Sequence, residues 1–189
     1  MNTLFDIGPV LPEGFSYFPG FITEAEEMLV LETIEGFDLQ KMKFHEYEAK
    51  RKVISFGQGW SFTDQQLKQG NLIPIAFDFL VDKIAGHRCI GKESIVQFLI
   101  TEYPIGSIIN WHRDAPPFAT IAGISLLSDC IFKLRPHEKE KQTRRATISL
   151  PVQRRSLYIM QGPAKTAWQH ATAPLNKVRY SLTFRTLYK

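Results

Sequence analysis

Two histidines and one aspartate are the side chains in this sequence with the clearest chemical potential. The segment 110–114, Asn-Trp-His-Arg-Asp, places His112 and Asp114 two residues apart. In an extended segment, residues i and i+2 project from the same face, so both side chains can reach one ion. His170 lies much later in the chain, in a second segment with an extended pattern. Two histidines and one carboxylate make a facial triad, which binds iron(II) and leaves positions open for a chelating co-substrate and oxygen.

A His-x-Asp sequence is common by itself, so the metal hypothesis needs support from elsewhere in the chain. The other three of the five histidines lie in polar or turn-like surroundings, and we predict that they are surface residues. These are His45, His87 and His137.

The support comes from residues 179–185, which alternate between two kinds of side chain and predict a strand with two different faces. The polar face carries Arg179, Ser181, Thr183 and Arg185. The other face carries Tyr180, Leu182 and Phe184 and is expected to pack on outer helices. A buried arginine needs an anionic partner, and a dicarboxylate fits the bidentate geometry of Arg179. The alternative is an amphipathic edge strand whose arginines lie in water.

The first half of the chain has a mixed pattern. A Thr-x-x-Glu capping box at Thr23 predicts a helix through about Ile34, and Gly36 is placed to end it. Apolar residues at helical spacing predict a second helix over 72–85. The glycine-rich segment 56–60 is predicted to be a turn.

After residue 91, short apolar or alternating segments recur between glycine, proline and asparagine residues. They predict strands near 94–103, 108–113, 119–127, 129–135, 145–150, 155–160, 166–171 and 178–188. So many short strands argue for a sandwich or barrel. The expected fold class is α+β, as a single domain over 1–189, with helices and extended segments in 1–90 and a mostly β core in 91–189.

The composition is that of an ordinary globular domain of 189 residues, 44% hydrophobic and 22% charged. Its two cysteines, Cys89 and Cys130, exclude a disulfide framework and favour a reducing compartment. We recognise no signal peptide and no membrane-spanning run, and therefore expect a cytoplasmic protein without a membrane partner. The net charge of +4 suits a polyanionic partner such as nucleic acid, although many small basic proteins bind none.

Taken in order from about Phe21 to Leu187, the sequence resembles the AlkB family of 2-oxoglutarate oxygenases. Four motifs carry the resemblance. They are Phe-Gly-Gln-Gly-Trp-Ser-Phe at 56–62, the turn Tyr-Pro-Ile-Gly at 103–106 followed by His-x-Asp at 112–114, Trp-Gln-His at 168–170 followed by Pro174, and Arg-x-Ser-x-Thr-x-Arg at 179–185. The last of these motifs is the most discriminating.

The resemblance implies a double-stranded β-helix (jelly-roll) core and an iron(II)- and 2-oxoglutarate-dependent dioxygenase that consumes O2. It implies that His112, Asp114 and His170 bind the iron. In this family, 2-oxoglutarate is decarboxylated to succinate while a C–H bond of the substrate is hydroxylated. Where that carbon is an N-methyl group, the product releases formaldehyde.

The resemblance also implies roles around the metal. Arg179 would pair with the distal carboxylate of 2-oxoglutarate, Tyr103 would donate its hydroxyl to the co-substrate, and Arg185 would lie near the metal-side carboxylate. Trp60 and Phe62 would lie in the lid that recognises the substrate, with an ordinary core position as the alternative.

Three departures from the family pattern limit the resemblance. Thr101 stands where well-known members have an asparagine that contacts the co-substrate, and Ser181 replaces an asparagine in the arginine strand. Pro116 stands where some DNA-repair members have a second aspartate, which weakens any carry-over of their substrate preference.

Three functions are consistent with these observations. The leading one is oxidative demethylation of alkylated bases in DNA or RNA, for which the pairs and runs of basic residues at 50–52, 144–145 and 154–155 could contact phosphates or could equally be solvated turns. A second keeps the iron chemistry but acts on a protein side chain or a small molecule. A third is a catalytically silent nucleic-acid-binding module, against which the intact triad argues. No obligate protein partner is inferred.

Overall fold

The structure, a computed structural model, describes residues 9–44, 47–87 and 90–188. His45, predicted to be a surface residue, and Cys89 lie outside the described residues. In the described ranges the α-helices are α1 (Glu24–Glu35), α2 (Asp78–Gly86) and α3 (Pro163–Thr166), with 3₁₀ turns at Ile75–Phe77, Lys92–Ser94 and Lys139–Lys141. None of the described helices combines the length and apolar character that a membrane span requires.

The described strands form two antiparallel sheets. They are β1 (Phe15–Phe18), β2 (Gln40–Phe44), β3 (Tyr47–Ser61), β4 (Gln66–Gln69), β5 (Ile95–Tyr103), β6 (Phe118–Leu126), β7 (Cys130–Pro136), β8 (Ile148–Val152), β9 (Leu157–Met160), β10 (Trp168–Thr172) and β11 (Arg179–Leu187). The larger sheet has the order β1-β9-β6-β11-β5-β3-β2, and β4 pairs with the far end of β3. The smaller sheet has the order β10-β7-β8.

The capping box predicted for the first helix is confirmed. The side chain of Thr23 accepts a hydrogen bond from the backbone N–H of Glu26, and the Glu26 carboxylate accepts one from the Thr23 N–H at 2.7 Å. Gly36 ends α1, as predicted. The second helix begins later than predicted, because Pro74 is extended (ψ 133°) and a 3₁₀ turn precedes α2.

The helices cover the outer face of the larger sheet, as expected. Phe98 of β5 and Phe184 of β11 stack with their ring centroids 4.7 Å apart, and both are fully buried. Val30 of α1 and Leu80 and Ile84 of α2 complete this cluster. Burial of side chains of this size contributes about 1.5–3 kcal/mol each, so the helices hold the sheet rigid from outside.

A second cluster fills the space between the two sheets. Phe132 and Leu134 come from the smaller sheet, and Ile121, Tyr158 and Met160 from the larger sheet. The arrangement is the jelly-roll core that the family resemblance implied, and it agrees with the sandwich or barrel that the strand pattern predicted. The larger sheet takes β1, β2 and β3 from residues before 91, so both predicted parts of the chain build one sheet.

Strand β11 lies in the middle of the larger sheet, between β5 and β6. The predicted alternation is confirmed: Leu182 and Phe184 pack in the outer cluster, while the residues of the polar face point between the sheets. The edge-strand alternative for its arginines is therefore wrong.

Two local predictions are wrong. The segment 108–113 is not a strand; among the described residues it forms one isolated bridge, from His112 to His170. The segment 56–60 is not a turn but part of the long strand β3. Gly57 has φ +75° there, and a Cβ would collide with the backbone carbonyl of Val96. The glycine therefore permits an irregularity and a close backbone approach within the strand.

Glu27 joins α1 to the turns at one end of the sheet. It is 1% exposed, accepts a hydrogen bond from the Leu127 N–H at 2.7 Å, and pairs with Arg154 at 2.6 Å and Arg155 at 3.4 Å. Leu127 and Arg155 both have positive φ, 71° and 63°, and the Glu27 carboxylate is the common contact of these two strained positions.

Replacing this carboxylate is expected to destabilise the fold. Glu27→Ala leaves the Leu127 N–H without its acceptor and two arginines without their partner. The Arg154 side chain is 40% exposed, so solvent limits the expected loss to about 2 kcal/mol in the free energy of unfolding. Urea unfolding measures this loss. The matched control is Glu24→Ala, which removes an exposed carboxylate 3.9 Å from Arg155; equal stability losses in the two variants would contradict the assignment.

Candidate active site

Arg179 begins β11 and lies opposite Tyr103 at the end of β5. It is 3% exposed; its Nε donates to the Ser125 hydroxyl at 2.9 Å, and its guanidinium lies 5.2 Å from the centre of the Tyr103 ring. Among the described residues, no carboxylate lies within ion-pair distance of Arg179. A buried guanidinium with no acidic partner has the charge and the donors to bind an external carboxylate.

His112 and His170 are held side by side by the backbone. The N–H of each donates to the carbonyl of the other, at 3.1 and 2.9 Å, and their ring centroids lie 4.2 Å apart. His112 Nδ1 lies 2.8 Å from the carbonyl oxygen of Asn110. A carbonyl only accepts, so Nδ1 carries the proton and the lone pair of Nε2 is free for a metal.

Asp114 lies within reach of the same point. Its Oδ2 is 3.6 Å from His170 Nε2, and its Oδ1 accepts a hydrogen bond from Arg185 Nη2 at 2.8 Å. Burial alone would raise the pKa of Asp114, but Arg185, through its charge and its hydrogen bond, and the neighbouring His170 and His112 outweigh burial and hold that pKa below its usual range. The carboxylate is therefore ionised at neutral pH.

His170 is kept neutral by its surroundings. Burial, with a smaller contribution from His112, lowers the pKa of His170 to about 4. The Phe132 ring stacks on the imidazole at 5.3 Å and 12°, which fixes its orientation. A neutral imidazole beside an ionised carboxylate is the protonation state that metal binding requires.

The donor set fits iron(II) in chemistry and nearly in spacing. Two ligands at right angles on a metal with bonds of about 2.1 Å lie about 3 Å apart, slightly less than the 3.6 Å between His170 Nε2 and Asp114 Oδ2. Within the described ranges, no three acidic, histidine or cysteine side chains are already closed around one point. A small shift of Asp114 Oδ2 towards His170 would bring this pair of ligands to the expected separation.

Arg185 holds this carboxylate from β11. Its Nη1 donates to Gln97 Oε1 on β5 at 2.7 Å, and its guanidinium lies 5.2 Å from the Phe118 ring centre. Its buried Nε has no hydrogen-bond partner among the described residues. The resemblance placed Arg185 near the metal-side carboxylate of the co-substrate; here it pairs directly with Asp114 and keeps one free donor.

The two proposed lid residues differ in position. Trp60 is half-buried and packs on the inner cluster that contains Tyr103 and Phe118, whereas Phe62 is 66% exposed. Trp60 pairs with Leu67 in the β3–β4 hairpin. Trp60 thus lies against the inner cluster and Phe62 lies at the surface, so the simple core alternative does not apply to Phe62.

The departures from the family pattern also have defined places. Thr101 is 3% exposed and lies opposite Ser181 in the ladder, beside the Arg179 end of the site. The carbonyl of Pro116 accepts a hydrogen bond from Lys165 Nζ at 3.2 Å. Lys165 is 7% exposed and was not singled out from the sequence, because one lysine in a short helix carries no local signal.

Other site residues were also missed. Gln97 accepts a hydrogen bond from Arg185, and Ser125 accepts one from Arg179. Phe132 stacks on His170, and Tyr158 lies in the cluster between the sheets. Ser125 and Gln97 are polar residues at inward positions of mostly apolar strands, and that signal was available in the sequence. Phe132 had none, because an aromatic residue in a buried strand looks like any core residue.

Comparisons with known proteins agree with this geometry. A model of the 2OG-Fe(II) oxygenase superfamily matches residues 14–185. The structure is similar to that of OsALKBH1, with a TM-score of 0.73 and 13% identity over 94% of this chain and 99% of that one. It is also similar to a prolyl hydroxylase from Trichoplax adhaerens in complex with a hypoxia inducible factor oxygen degradation domain peptide fragment, with a TM-score of 0.64 and 14% identity over 92% and 83% of the two chains.

The chain therefore belongs to the 2OG-Fe(II) oxygenase superfamily. The prediction of an AlkB-like oxygenase is confirmed at this level, since the superfamily model covers most of the chain and the fold is that of an AlkB homologue. As a member of this superfamily, the protein is a dioxygenase that uses iron(II), 2-oxoglutarate and O2.

The neutral state of His170 predicts a pH dependence for the metal-free protein. Between its ordinary pKa of 6.5 and its native pKa of about 4, the unfolded chain binds a proton that the native protein does not. Stability should therefore fall as the pH drops through this window, with a contribution from His170 of up to about 1.4 kcal/mol per pH unit. Urea unfolding at pH 7, 6 and 5 measures this slope.

His170→Gln should lose that part of the slope. His137→Gln is the control, because His137 is exposed. His87 is exposed too, so the prediction that these two histidines are surface residues is confirmed. Parallel stability curves for His170→Gln and the unchanged protein would show that His170 is not kept neutral by the fold.

Proposed function

We propose that this protein oxidatively demethylates alkylated bases in nucleic acid. The observation that carries the proposal is the β3–β4 hairpin, which packs Trp60 against the inner cluster and leaves the aromatic ring of Phe62, two residues later, exposed. A base that is to be oxidised must leave its stack and enter a pocket, where aromatic side chains replace the lost stacking. The fold likeness to an AlkB homologue supports the same substrate class.

In this proposal His112, Asp114 and His170 hold the iron. Bound iron(II), with 2-oxoglutarate and O2, supplies the oxidising power that hydroxylates a C–H bond of the substrate while the co-substrate is decarboxylated to succinate. Arg179 binds the distal carboxylate of 2-oxoglutarate, and Tyr103, opposite it in the ladder, donates its hydroxyl to the co-substrate.

The remaining side chains keep these groups in place. The Arg185–Asp114 pair keeps the carboxylate ionised and aimed at His170, while the hydrogen bond from His112 Nδ1 to the Asn110 carbonyl fixes the tautomer of that histidine. The apolar cluster around Phe132 excludes water from the metal side of the site.

The basic clusters contribute unequally to the proposed phosphate contacts. Arg154 and Arg155 pair with buried Glu27 and hold the fold together, so we assign them no substrate contact. Arg144 and Arg145 are exposed in the loop before β8, and they are the pair we propose for phosphate contact.

A protein side chain is the second candidate substrate. It is favoured by the fold likeness to a prolyl hydroxylase, because the jelly-roll core is common to oxygenases with different substrates. A catalytically silent binding module is disfavoured by membership of an enzyme superfamily.

The iron assignment predicts succinate formation from 2-oxoglutarate when iron(II) is added, even without substrate. His112→Ala should reduce this uncoupled turnover by at least about 100-fold, because it removes a ligand from the metal. Succinate release measured by chromatography tests this. His137→Ala is the matched control, since His137 is exposed; turnover that survives in His112→Ala would overturn the assigned triad.

The substrate proposal predicts that methylated oligonucleotides are demethylated with release of formaldehyde, whereas methylated peptides are not. Trp60→Ala should slow demethylation by about 10-fold or more through loss of base stacking, while uncoupled succinate formation continues. Mass spectrometry measures the loss of methyl groups from single- and double-stranded DNA and RNA that carry different methylated bases, for the unchanged protein and for Trp60→Ala. Active uncoupled turnover without demethylation of any oligonucleotide would reject the nucleic-acid substrate, and turnover of a peptide would support the second candidate.

A further inference from the structure

The loop that carries Asp114 is held against one continuous stretch of the chain. From residue 109 onward the loop runs antiparallel to the segment 165–172, which contains the end of α3 and the whole of β10. The contacts follow one another in order along both segments: Ile109 with Thr172, His112 with His170, Arg113 with Thr166, and Pro116 with Lys165. The first two contacts form the seam that places the two histidines side by side.

The last two contacts come from α3 and lie on either side of Asp114. Arg113 Nη1 donates to the Thr166 carbonyl at 2.8 Å, and Lys165 Nζ donates to the Pro116 carbonyl at 3.2 Å. One anchor thus holds the residue before Asp114, and the other holds the second residue after it. Asp114 lies outside the strands, in irregular backbone that is ordinarily more mobile than a ladder, so these two anchors restrict its position.

The ammonium group of Lys165 is buried without a carboxylate partner. The side chain is 7% exposed, and in the described part of the chain the nearby carboxylate of Asp114 pairs with Arg185 instead. The ammonium lies 5.2 Å from the centre of the Tyr188 ring. Burial lowers the pKa of Lys165, and the charge of Asp114 offsets only part of this effect. An apolar side chain would cover the same surface without the cost of burying a charge, so the hydrogen-bond donor is what this position requires.

The charges of Lys165 and Arg113 favour a positioning role over direct attraction of the metal. Both side chains are positive, and a positive charge near a divalent cation weakens the binding of that cation. Removing either charge would, by itself, tighten metal binding. Removing an anchor of the loop would weaken it. The sign of the change in affinity therefore separates the two roles.

We propose that Lys165 and Arg113 are positioning residues that hold Asp114 for metal binding, by fastening its loop to α3 on both sides of the carboxylate. The inference rests on the proposed assignment of Asp114 to the metal. It adds two residues that are not themselves assigned as ligands, and it gives the four-residue helix α3 a function in the site.

Lys165→Met tests the inference, because methionine keeps an apolar stem of similar length but has no donor and no charge. The dissociation constant of cobalt(II), measured by calorimetry on the otherwise metal-free protein, should rise by about 10-fold or more, the usual effect of losing a residue that orients a metal ligand. Unchanged or tighter binding would overturn the role of Lys165, since loss of the charge alone does not weaken binding.

Lys83→Met is the matched control. Lys83 lies on α2, on the outer side of the larger sheet, and its ammonium pairs with Glu26 of α1 at 2.7 Å. This variant loses the same charge and an ion pair but no contact with the loop, so it should leave the dissociation constant of cobalt(II) unchanged. Equal losses of affinity in the two variants would mean that the effect is a general loss of stability, and the proposal would fail.

Arg113 provides a test that does not depend on a buried residue. It is exposed, so its replacement leaves the packing of the core intact. Arg113→Met should weaken cobalt(II) binding by about 2- to 10-fold, as expected for one lost hydrogen bond. Arg113→Lys keeps a donor and should restore most of the affinity. Undiminished affinity in Arg113→Met, or equally weak binding in both variants, would overturn the role of this hydrogen bond.

His112→Ala separates this inference from the assignment beneath it. If His112→Ala weakens cobalt(II) binding and neither Lys165→Met nor Arg113→Met does, only the anchoring role is wrong. If none of the three variants weakens binding, the assigned triad is wrong as well. These titrations need neither 2-oxoglutarate nor nucleic acid, so their outcome is independent of the proposed substrate.

Discussion

The buried ion pair between Asp114 and Arg185 is the interaction on which the geometry of the site depends. Asp114 comes from an irregular loop, and Arg185 from the central strand β11 of the larger sheet. The pair is supported by Gln97 on β5, so one loop and two strands meet at a single carboxylate. Without the arginine, an ionised Asp114 in this buried position would be strongly unfavourable. With the arginine, it is ionised and aimed at His170.

The polar face of β11 creates a second requirement that the protein does not meet alone. Arg185 has a protein carboxylate as its partner, whereas Arg179, six residues earlier on the same face, has none among the described residues. Six residues of strand span about 20 Å, but both guanidinium groups lean into the space between the sheets. The Arg185 end of this face is thus paired with Asp114, and the Arg179 end is where we propose that the carboxylate of 2-oxoglutarate binds.

The rigid and the variable parts of the molecule have different functions. The candidate metal and co-substrate residues lie on or beside strands whose outer face is held by α1 and α2, which fits their role in a reaction common to the superfamily. The proposed substrate residues lie on the β3–β4 hairpin, and β4 is exposed along its length. A substrate lid on a peripheral hairpin can change without disturbing the iron site, so fold likeness identifies the chemistry more firmly than the substrate.

Local patterns were sufficient to predict α1 and β11. The Thr23 capping box and the alternation over 179–185 act through residues that are neighbours in a helix or a strand, where the spacing along the chain is also the spacing in space. The His112 and Asp114 pair was identified for a partly wrong reason. The segment is an irregular loop bridged to His170, and tertiary contacts supply the proximity that a strand was expected to supply.

The sequence by itself determined which groups are available: two histidines, a carboxylate and an alternating arginine strand. Only the tertiary structure decided which charges are already paired. Arg154 and Arg155 looked like candidates for phosphate contact until Glu27, far away in the chain, proved to be their partner. Lys165 had no local signal at all, because its contact with the Pro116 carbonyl joins residues 49 positions apart, and the packing of the whole domain brings such residues together.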